Sequence, residues 1–151
     1  MDIATQLADG LGDGHRGRPR QTELRRAVSC AYYAMFHTLA SCCADTTMGA
    51  TASRRSNQAW RQVYRALEHG RTVQQCSNSR IMRLFPTPIQ EFGEHFIEMQ
   101  RLRHLADYDP LAEFRRSQVK QLVEETADRL RRFETVDTSD RLAFSAYVLF
   151  H

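Results

Sequence analysis

Apolar side chains recur every three or four residues along three long stretches of this chain, which is the pattern of amphipathic α-helices. The first stretch follows Thr22, a candidate N-cap, and runs to about Cys43. Its apolar face consists of Leu24, Val28, Ala31, Met35, Leu39 and Cys42. This spacing predicts a long helix that buries one face in a bundle.

Two further stretches repeat the pattern in the second half of the sequence. One begins at the prolines of positions 86 and 88, which suit a first helical turn, and stops near Tyr108, because Pro110 disfavours helical geometry at the residue before it. The other covers roughly Phe114 to Phe133. The predicted core residues are Ile89, Phe92, Phe96, Met99, Leu102 and Ala106 in the first, and Val119, Leu122, Val123, Ala127 and Leu130 in the second. Three helices of about 20 residues, each about 30 Å long, favour an antiparallel bundle.

The remaining segments are shorter and complete the predicted fold. We expect a helix over Asp2 to Leu11, a basic loop at 15–20, a loop from Asp45 to Ser56, and a helix that ends near Gly70 and carries Trp60, Val63, Tyr64 and Leu67. The apolar tail at 142–150 suits either a helix or a strand. The prediction is an all-α fold, an up-and-down bundle of four to six helices over residues 1–135. An apolar extension, 136–151, packs on the bundle or at an interface.

Composition excludes several classes of protein. Hydrophobic residues make up 42% of the chain and charged residues 26%, which are ordinary values for a folded domain. No apolar run approaches the roughly 20 residues of a membrane span, and the N-terminus lacks the basic start and apolar stretch of a secretory signal. The four cysteines have no C-x-x-C spacing, which disfavours a zinc site and suits a reducing compartment. We therefore expect a cytoplasmic protein without a metal or another cofactor.

Charge is distributed unevenly along the sequence. Residues 11–85 contain twelve arginines and four acidic residues, although the whole chain has a net charge of only +3. A basic half is what a phosphate-binding surface needs. Twenty of the 21 basic residues are arginine, however, and GC-rich coding produces the same bias. The charge therefore permits nucleic-acid binding without establishing it.

The most concentrated polar segment of a predicted helix covers residues 101–108. Four-residue spacing places Arg103 beside Asp107 and His104 beside Tyr108. A guanidinium next to an imidazole and a phenol can bind a phosphodiester and transfer protons around it. The alternative is structural, with a surface ion pair and a tyrosine that packs at the helix end.

The first long helix carries a second polar group, made of Ser29, Tyr32, Tyr33 and His37. Four-residue spacing puts Tyr33 and His37 on one face, next to the apolar one, so we expect them at the seam between two helices. The alternative is that His37 is a hydrogen-bonded packing residue. The sequence contains no phosphate-binding loop, nucleophile elbow or di-metal motif.

The two polar segments together resemble the motifs of the HEPN family of small helical bundles. Residues 26–37, RAVSCAYYAMFH, resemble the Ser-x-Ala-Tyr-Tyr-Ala-x-Phe-His signature of the family's second helix. Residues 103–110, RHLADYDP, resemble the Arg-x-x-Ala-Asp-Tyr segment of one branch. The order and separation of the motifs also match, and the resemblance covers roughly residues 1–135.

The resemblance implies a homodimer that binds or acts on RNA or nucleotides, often as a toxin or defence factor. Active members of the family are metal-independent endoribonucleases with an Arg, a following polar residue and a His, and two such motifs meet across the dimer. Arg103 corresponds to the Arg and His104 to the polar residue, whereas Tyr108 stands where the His is expected. Because Tyr ordinarily titrates near pH 10 and His near pH 6.5, the resemblance supports binding better than cleavage.

The sequence therefore predicts a cleft shared by the two chains of a dimer. The candidate catalytic residues are Arg103, His104 and Tyr108, the candidate nucleic-acid contacts are Arg25, Arg26, Arg101 and Arg103, and the supporting residues are Ser29, Tyr33, His37 and Asp107. We expect binding of RNA or a nucleotide, with metal-independent RNA cleavage in a toxin–antitoxin or defence system as the enzymatic form. The alternatives are a non-catalytic interaction module, such as the partner of a nucleotidyltransferase, and a bundle whose motif residues are structural only.

Overall fold

All regular structure in the described part of the chain is helical. A computed structural model describes residues 2–9, 20–53 and 55–150, which leaves most of the predicted loop at 15–20 outside it. Within these ranges there is no strand, and the helices are α1 Asp2–Asp9, α2 Gln21–Met48, α3 Asn57–Ala66, α4 His69–Cys76, α5 Ser79–Met82, α6 Thr87–Tyr108, α7 Arg116–Glu134 and α8 Thr138–Leu149. The all-α prediction is confirmed, with more helices than the four to six expected. None of the described helices is long and apolar enough to cross a membrane.

Helix α2 is the centre of the fold and contacts α1, α3, α6, α7 and α8. Every residue predicted for its core face is buried. Ala27, Tyr32 and Phe36 are buried as well, so the helix is enclosed on more than one side. A helix in the middle of a bundle has no wide solvent-facing side, which explains why its buried positions extend beyond the single predicted face.

The starts of α2 and α7 differ from the prediction because of contacts between side chains and backbone. Thr22 is not the N-cap of α2, since the Arg20 N–H donates to the Glu23 carboxylate (2.7 Å) and closes the first turn two residues earlier. Helix α7 begins at position 116 rather than at Phe114. The Gln21 side chain hydrogen-bonds both the N–H (3.0 Å) and the C=O (2.8 Å) of Phe114, which holds that residue outside the helix.

The end of α2 also lies beyond its predicted position. Small polar residues predict a loop from Asp45, whereas the helix continues to Met48. Asp45 Oδ1 accepts hydrogen bonds from the Arg55 guanidinium (3.0 Å) and the Trp60 indole (2.8 Å), and these contacts hold the last helical turn. The helix ends at Gly49, where a φ of +96° favours glycine over residues with a Cβ.

The helix predicted to end near Gly70 is divided into α3 and α4. Between them Leu67 is extended (φ −68°, ψ 125°) and buried, so the chain leaves the helix and places this side chain in the core. The apolar spacing continues through the break, and for that reason the sequence pattern does not show it. The break places His69 at the first position of α4.

Helices α6 and α7 form an antiparallel pair that packs against α2. Near the start of α6, His95 hydrogen-bonds Thr126 (2.9 Å) and Glu91 pairs with Arg129 (2.9 Å), so early residues of α6 meet later residues of α7. The predicted core residues are buried at Ile89, Phe92, Phe96, Met99, Ala106, Val119, Val123 and Leu130, and partly buried at Leu102, Leu122 and Ala127. The predicted helical register of both stretches is therefore correct.

The apolar tail forms α8, a helix rather than a strand. Phe144 is fully buried beside Phe92 and Phe133, with ring centroids 6.5 Å and 6.2 Å apart. Ser145 and Val148 are buried too, and α8 contacts α2 and α4. The tail therefore belongs to the same core as the rest of the bundle.

The core assignment predicts a large stability loss at Phe96. The substitution Phe96→Ala should lower the free energy of unfolding by about 3–5 kcal/mol, because it removes a fully buried ring and leaves a cavity. Urea unfolding followed by circular dichroism measures this change. Leu84, which is 78% exposed, is the matched control, and its replacement by Ala should change stability by less than about 0.5 kcal/mol. Equal effects at the two positions would contradict the register.

Candidate functional site

Four of the residues singled out from the sequence meet where the C-terminal part of α6 contacts the N-terminal half of α2. The Arg103 Nη2 donates to the Tyr33 hydroxyl (2.8 Å), and its Nε lies 2.6 Å from Asp107 Oδ2. The Ser29 hydroxyl donates to the other oxygen of Asp107 (2.6 Å). The Arg103–Asp107 pair predicted from helical spacing is therefore part of a network that joins two helices.

The electrostatics of this network keep Arg103 charged. Burial alone lowers the pKa of Arg103, but Tyr33, Asp107 and Tyr108 outweigh that effect and raise it above its usual value. Its side chain is only 19% exposed. Although Nε and Nη2 have near neighbours, Nη1 has no hydrogen-bond partner in the described part of the chain. One end of the guanidinium is thus left for another acceptor.

Aromatic rings surround the guanidinium. Its central carbon lies 5.8 Å, 5.3 Å and 5.8 Å from the ring centroids of Tyr32, Tyr33 and Tyr108, within the range of cation–π attraction. Tyr32 is fully buried, whereas Tyr108 is 65% exposed. The predicted proximity of His104 and Tyr108 is also confirmed, since their ring centroids are 4.8 Å apart. The site therefore has a buried aromatic side and an open one.

Two histidines lie beside the same network, and one of them is absent from the sequence prediction. His37 stacks on Tyr33 with ring centroids 6.0 Å apart, and its Nδ1 is hydrogen-bonded to the Tyr64 hydroxyl (2.7 Å). His69 of α4 is hydrogen-bonded through Nδ1 to the Tyr32 hydroxyl. Helical spacing gives no signal for His69 or Tyr64, because their positions depend on how α3 and α4 pack against α2.

The arginines proposed as nucleic-acid contacts occupy different surroundings. Arg26 is exposed on α2, one turn before Ser29. Arg101 is also exposed, and it pairs with Glu98 (2.7 Å). Because Arg101 precedes Arg103 by two residues on the helix, the two side chains are about 200° apart around the helix axis. The guanidinium of Arg25 donates to four backbone carbonyl oxygens, those of Ala106, Asp109, Pro110 and Ala112. Arg25 therefore fixes the end of α6 and the loop after it.

A cavity of about 370 Å³ includes His37 in its lining. Besides His37, it is lined by Thr38, Ser41, Cys42, Asp45, Phe133, Glu134 and Arg141. Its mixed charges and volume suit a small polar ligand. Within residues 2–9, 20–53 and 55–150, no three His, Cys, Asp or Glu side chains are grouped as metal ligands.

Comparison with known proteins identifies no relative of this chain. No family model, curated protein or solved structure matches the chain. The HEPN resemblance consequently remains a prediction that rests on the two motifs.

The surroundings of His69 predict that stability decreases in mild acid. Burial lowers the pKa of His69, and the charges of Arg103 and His37 lower it further. The unfolded chain therefore takes up a proton below about pH 6.5 that the folded chain resists, and stability is lost as the pH falls through that range.

Urea unfolding at about pH 7.5 and pH 5.5 tests this linkage. The substitution His69→Asn keeps a hydrogen-bonding group near the Nδ1 position and removes the titration, so it should reduce the loss of stability between the two pH values. Burial lowers the pKa of His95 as well, which leaves part of the pH dependence in that variant. An unchanged difference between the two pH values would contradict the assignment to His69.

Proposed function

We propose that this chain is a homodimeric domain that binds single-stranded RNA or a nucleotide through the surface around Arg103. The observation that carries the proposal is the position of the Arg103 guanidinium, which is enclosed by three tyrosine rings and keeps Nη1 without a partner among the described residues. This combination offers a phosphate contact and stacking surfaces within one small area.

The phosphate contact is assigned to Arg103. A charge-assisted hydrogen bond from Nη1 to a phosphate oxygen is stronger than a bond between neutral groups. Asp107 already lies against Nε, and Ser29 holds that carboxylate in place. The carboxylate thus orients the guanidinium and also competes with a phosphate for its charge, so the affinity depends on the balance of these two effects.

The base contact is assigned to the exposed aromatic side of the site. Single-stranded RNA is recognised mainly by unstacked bases that lie on aromatic rings, and such stacking tolerates many sequences. Tyr108 and His104 form an exposed ring pair next to Arg103. The excess of arginine over acidic residues in 11–85 supplies the positive field that attracts a polyanion.

The HEPN resemblance extends the proposal to a biological class. On that basis we place the domain in a cytoplasmic toxin–antitoxin or defence system, in which metal-independent RNA cleavage would be its enzymatic form. Tyr108 occupies the position of the family's His, so a different group has to transfer protons if the chain cleaves RNA.

A non-catalytic interaction module is the second candidate, and one observation favours it. Leu111, three residues after Tyr108, is 87% exposed and gives the site an apolar margin. An exposed leucine beside an exposed tyrosine suits contact with a protein, such as a second copy of the chain or a nucleotidyltransferase-type partner.

Replacing Arg103 tests the binding proposal directly. The substitution Arg103→Ala should weaken binding of a short fluorescent RNA of mixed sequence about 10-fold or more, because it removes a charge-assisted contact. Fluorescence anisotropy in EDTA measures the affinity. The matched control is Arg131→Ala, which removes an arginine from an exposed ion pair on α7 and should leave affinity nearly unchanged.

A second substitution separates phosphate binding from a structural role. Asp107→Asn keeps an acceptor for Ser29 and removes the competing charge beside Arg103. RNA binding should become stronger if the guanidinium contacts phosphate. Unchanged or weaker binding by a folded Asp107→Asn protein, together with normal binding by Arg103→Ala, would show that the ion pair serves the fold alone.

The dimer prediction is tested by mass in solution. Light scattering should give about twice the chain mass of 17.5 kDa at micromolar concentration. Leu111→Glu should shift the protein toward the monomer if the margin of the site is the interface. Leu84→Glu is the control, since that residue is similarly exposed but lies at the opposite end of α6. A monomer for the unmodified chain would remove the shared cleft from the proposal.

A further inference from the structure

We infer that His37 and His69 are the proton-transfer pair of this site, one acting as base and the other as acid in metal-free cleavage of bound RNA. The inference rests on the proposed RNA function. It names catalytic residues that lie outside the segment containing Arg103 and Tyr108, and it assigns to two other helices the role that Tyr108 is poorly suited to perform.

The two histidines are held in the same way. In each ring Nδ1 is hydrogen-bonded to a tyrosine hydroxyl, that of Tyr64 for His37 (2.7 Å) and that of Tyr32 for His69. In each ring Nε2 has no hydrogen-bond partner within the described ranges. A phenol that fixes one nitrogen sets the orientation of the imidazole and leaves the other nitrogen able to exchange a proton with a ligand.

Both rings flank the tyrosine that binds Arg103. His37 stacks on Tyr33 at 6.0 Å with an interplanar angle of 24°, whereas His69 meets it at 6.3 Å with an angle of 84°. The Tyr33 hydroxyl in turn accepts the bond from Arg103 (2.8 Å). Both imidazoles therefore lie next to the ring whose hydroxyl accepts from Arg103, close to the group assigned to the phosphate.

The core fixes these positions. Phe36 stacks on His69 with centroids 3.8 Å apart and also lies edge-on to His37 at 5.7 Å. His37 is on α2, His69 on α4 and Arg103 on α6, so three packed elements each supply one group. His37 is exposed, but its ring is held by Tyr64 and Tyr33, whereas the exposed His104 has a ring contact with Tyr108 and no hydrogen bond within the described chain.

The charged and titratable groups that surround the two histidines are different. His69 faces Arg103 and His37, and these charges together with burial lower its pKa, which favours the neutral base at pH 7. His37 faces Tyr33, Tyr64 and His69, and it also lines the cavity that contains Asp45, Glu134 and Arg141. The two rings therefore lie in different surroundings, and the base is assigned to His69 and the acid to His37.

The reaction needs no group beyond the RNA and these side chains. The base removes the proton of a ribose 2′-hydroxyl, and the 2′-oxygen forms a bond to the adjacent phosphorus. The bond from phosphorus to the 5′-oxygen breaks, and the acid gives its proton to that oxygen. The products are a 2′,3′-cyclic phosphate and a 5′-hydroxyl, while Arg103 stabilises the charge that develops on the phosphate.

The test compares cleavage and binding for the same variants in EDTA. Cleavage uses a fluorescent single-stranded RNA, and binding uses the same RNA with 2′-O-methyl groups, which cannot form the cyclic product. His37→Asn and His69→Asn should each reduce the cleavage rate by about 100-fold or more and leave binding of the methylated RNA nearly unchanged. The unmodified protein should show a bell-shaped pH–rate profile, and each variant should lose one limb of it.

Each of the following results would overturn the inference. Binding of the methylated RNA without any cleavage by the unmodified protein leaves the proposed function intact and removes the histidine roles, whereas absence of binding removes the proposed function itself. Loss of cleavage in His104→Asn with normal cleavage in the other two variants assigns the chemistry to the segment of Arg103. If His37→Asn unfolds, Tyr64→Phe replaces it, and if His69→Asn unfolds, Tyr32→Phe replaces it, because each change removes only the hydroxyl bonded to that histidine. An unchanged pH–rate profile for a folded Tyr64→Phe protein also counts against the assignment.

Discussion

The burial of α2 on several sides is the constraint on which the rest of the structure depends. A helix that contacts most of the other described helices has few positions for polar side chains, and each polar group there needs a partner because an unpaired one away from water is costly. Ser29 and Tyr33 find these partners in Asp107 and Arg103 across the contact with α6. The candidate site is therefore the partly buried polar edge of the contact between α2 and α6, and the packing that stabilises the bundle also sets the distances within the site.

Local periodicity was sufficient for the parts of the site that lie within one helix. Residues four apart on a helix are neighbours whatever surrounds them, so the pairing of Arg103 with Asp107 and the stacking of Tyr33 on His37 follow from spacing alone. The same period identified the buried faces of α2, α6 and α7. The ends of these helices were less predictable, since a single side chain such as Gln21 can hold a residue outside a helix.

Contacts between distant segments could not be predicted in this way. His69 reaches Tyr32 only because the chain turns at Leu67, and the apolar spacing of the sequence is unchanged by that turn. Arg25 and Arg26 are adjacent and chemically identical, yet one hydrogen-bonds four carbonyl oxygens and the other is exposed. One residue of helix rotates the side chain by about 100°, and this rotation, rather than charge, decides which arginine supports the fold.

The hydrogen bonds from Arg25 fix the conformation of the surface loop beside the site. The loop after α6 is held by Arg25 and by the hydrogen bond from the Leu111 N–H to Asp109 (2.9 Å), so Leu111 is displayed on backbone with a defined conformation. A partner that meets an ordered loop loses less conformational entropy on binding than one that must order it first. A partner bound at Leu111 would therefore spend little of its interaction energy on arranging the loop.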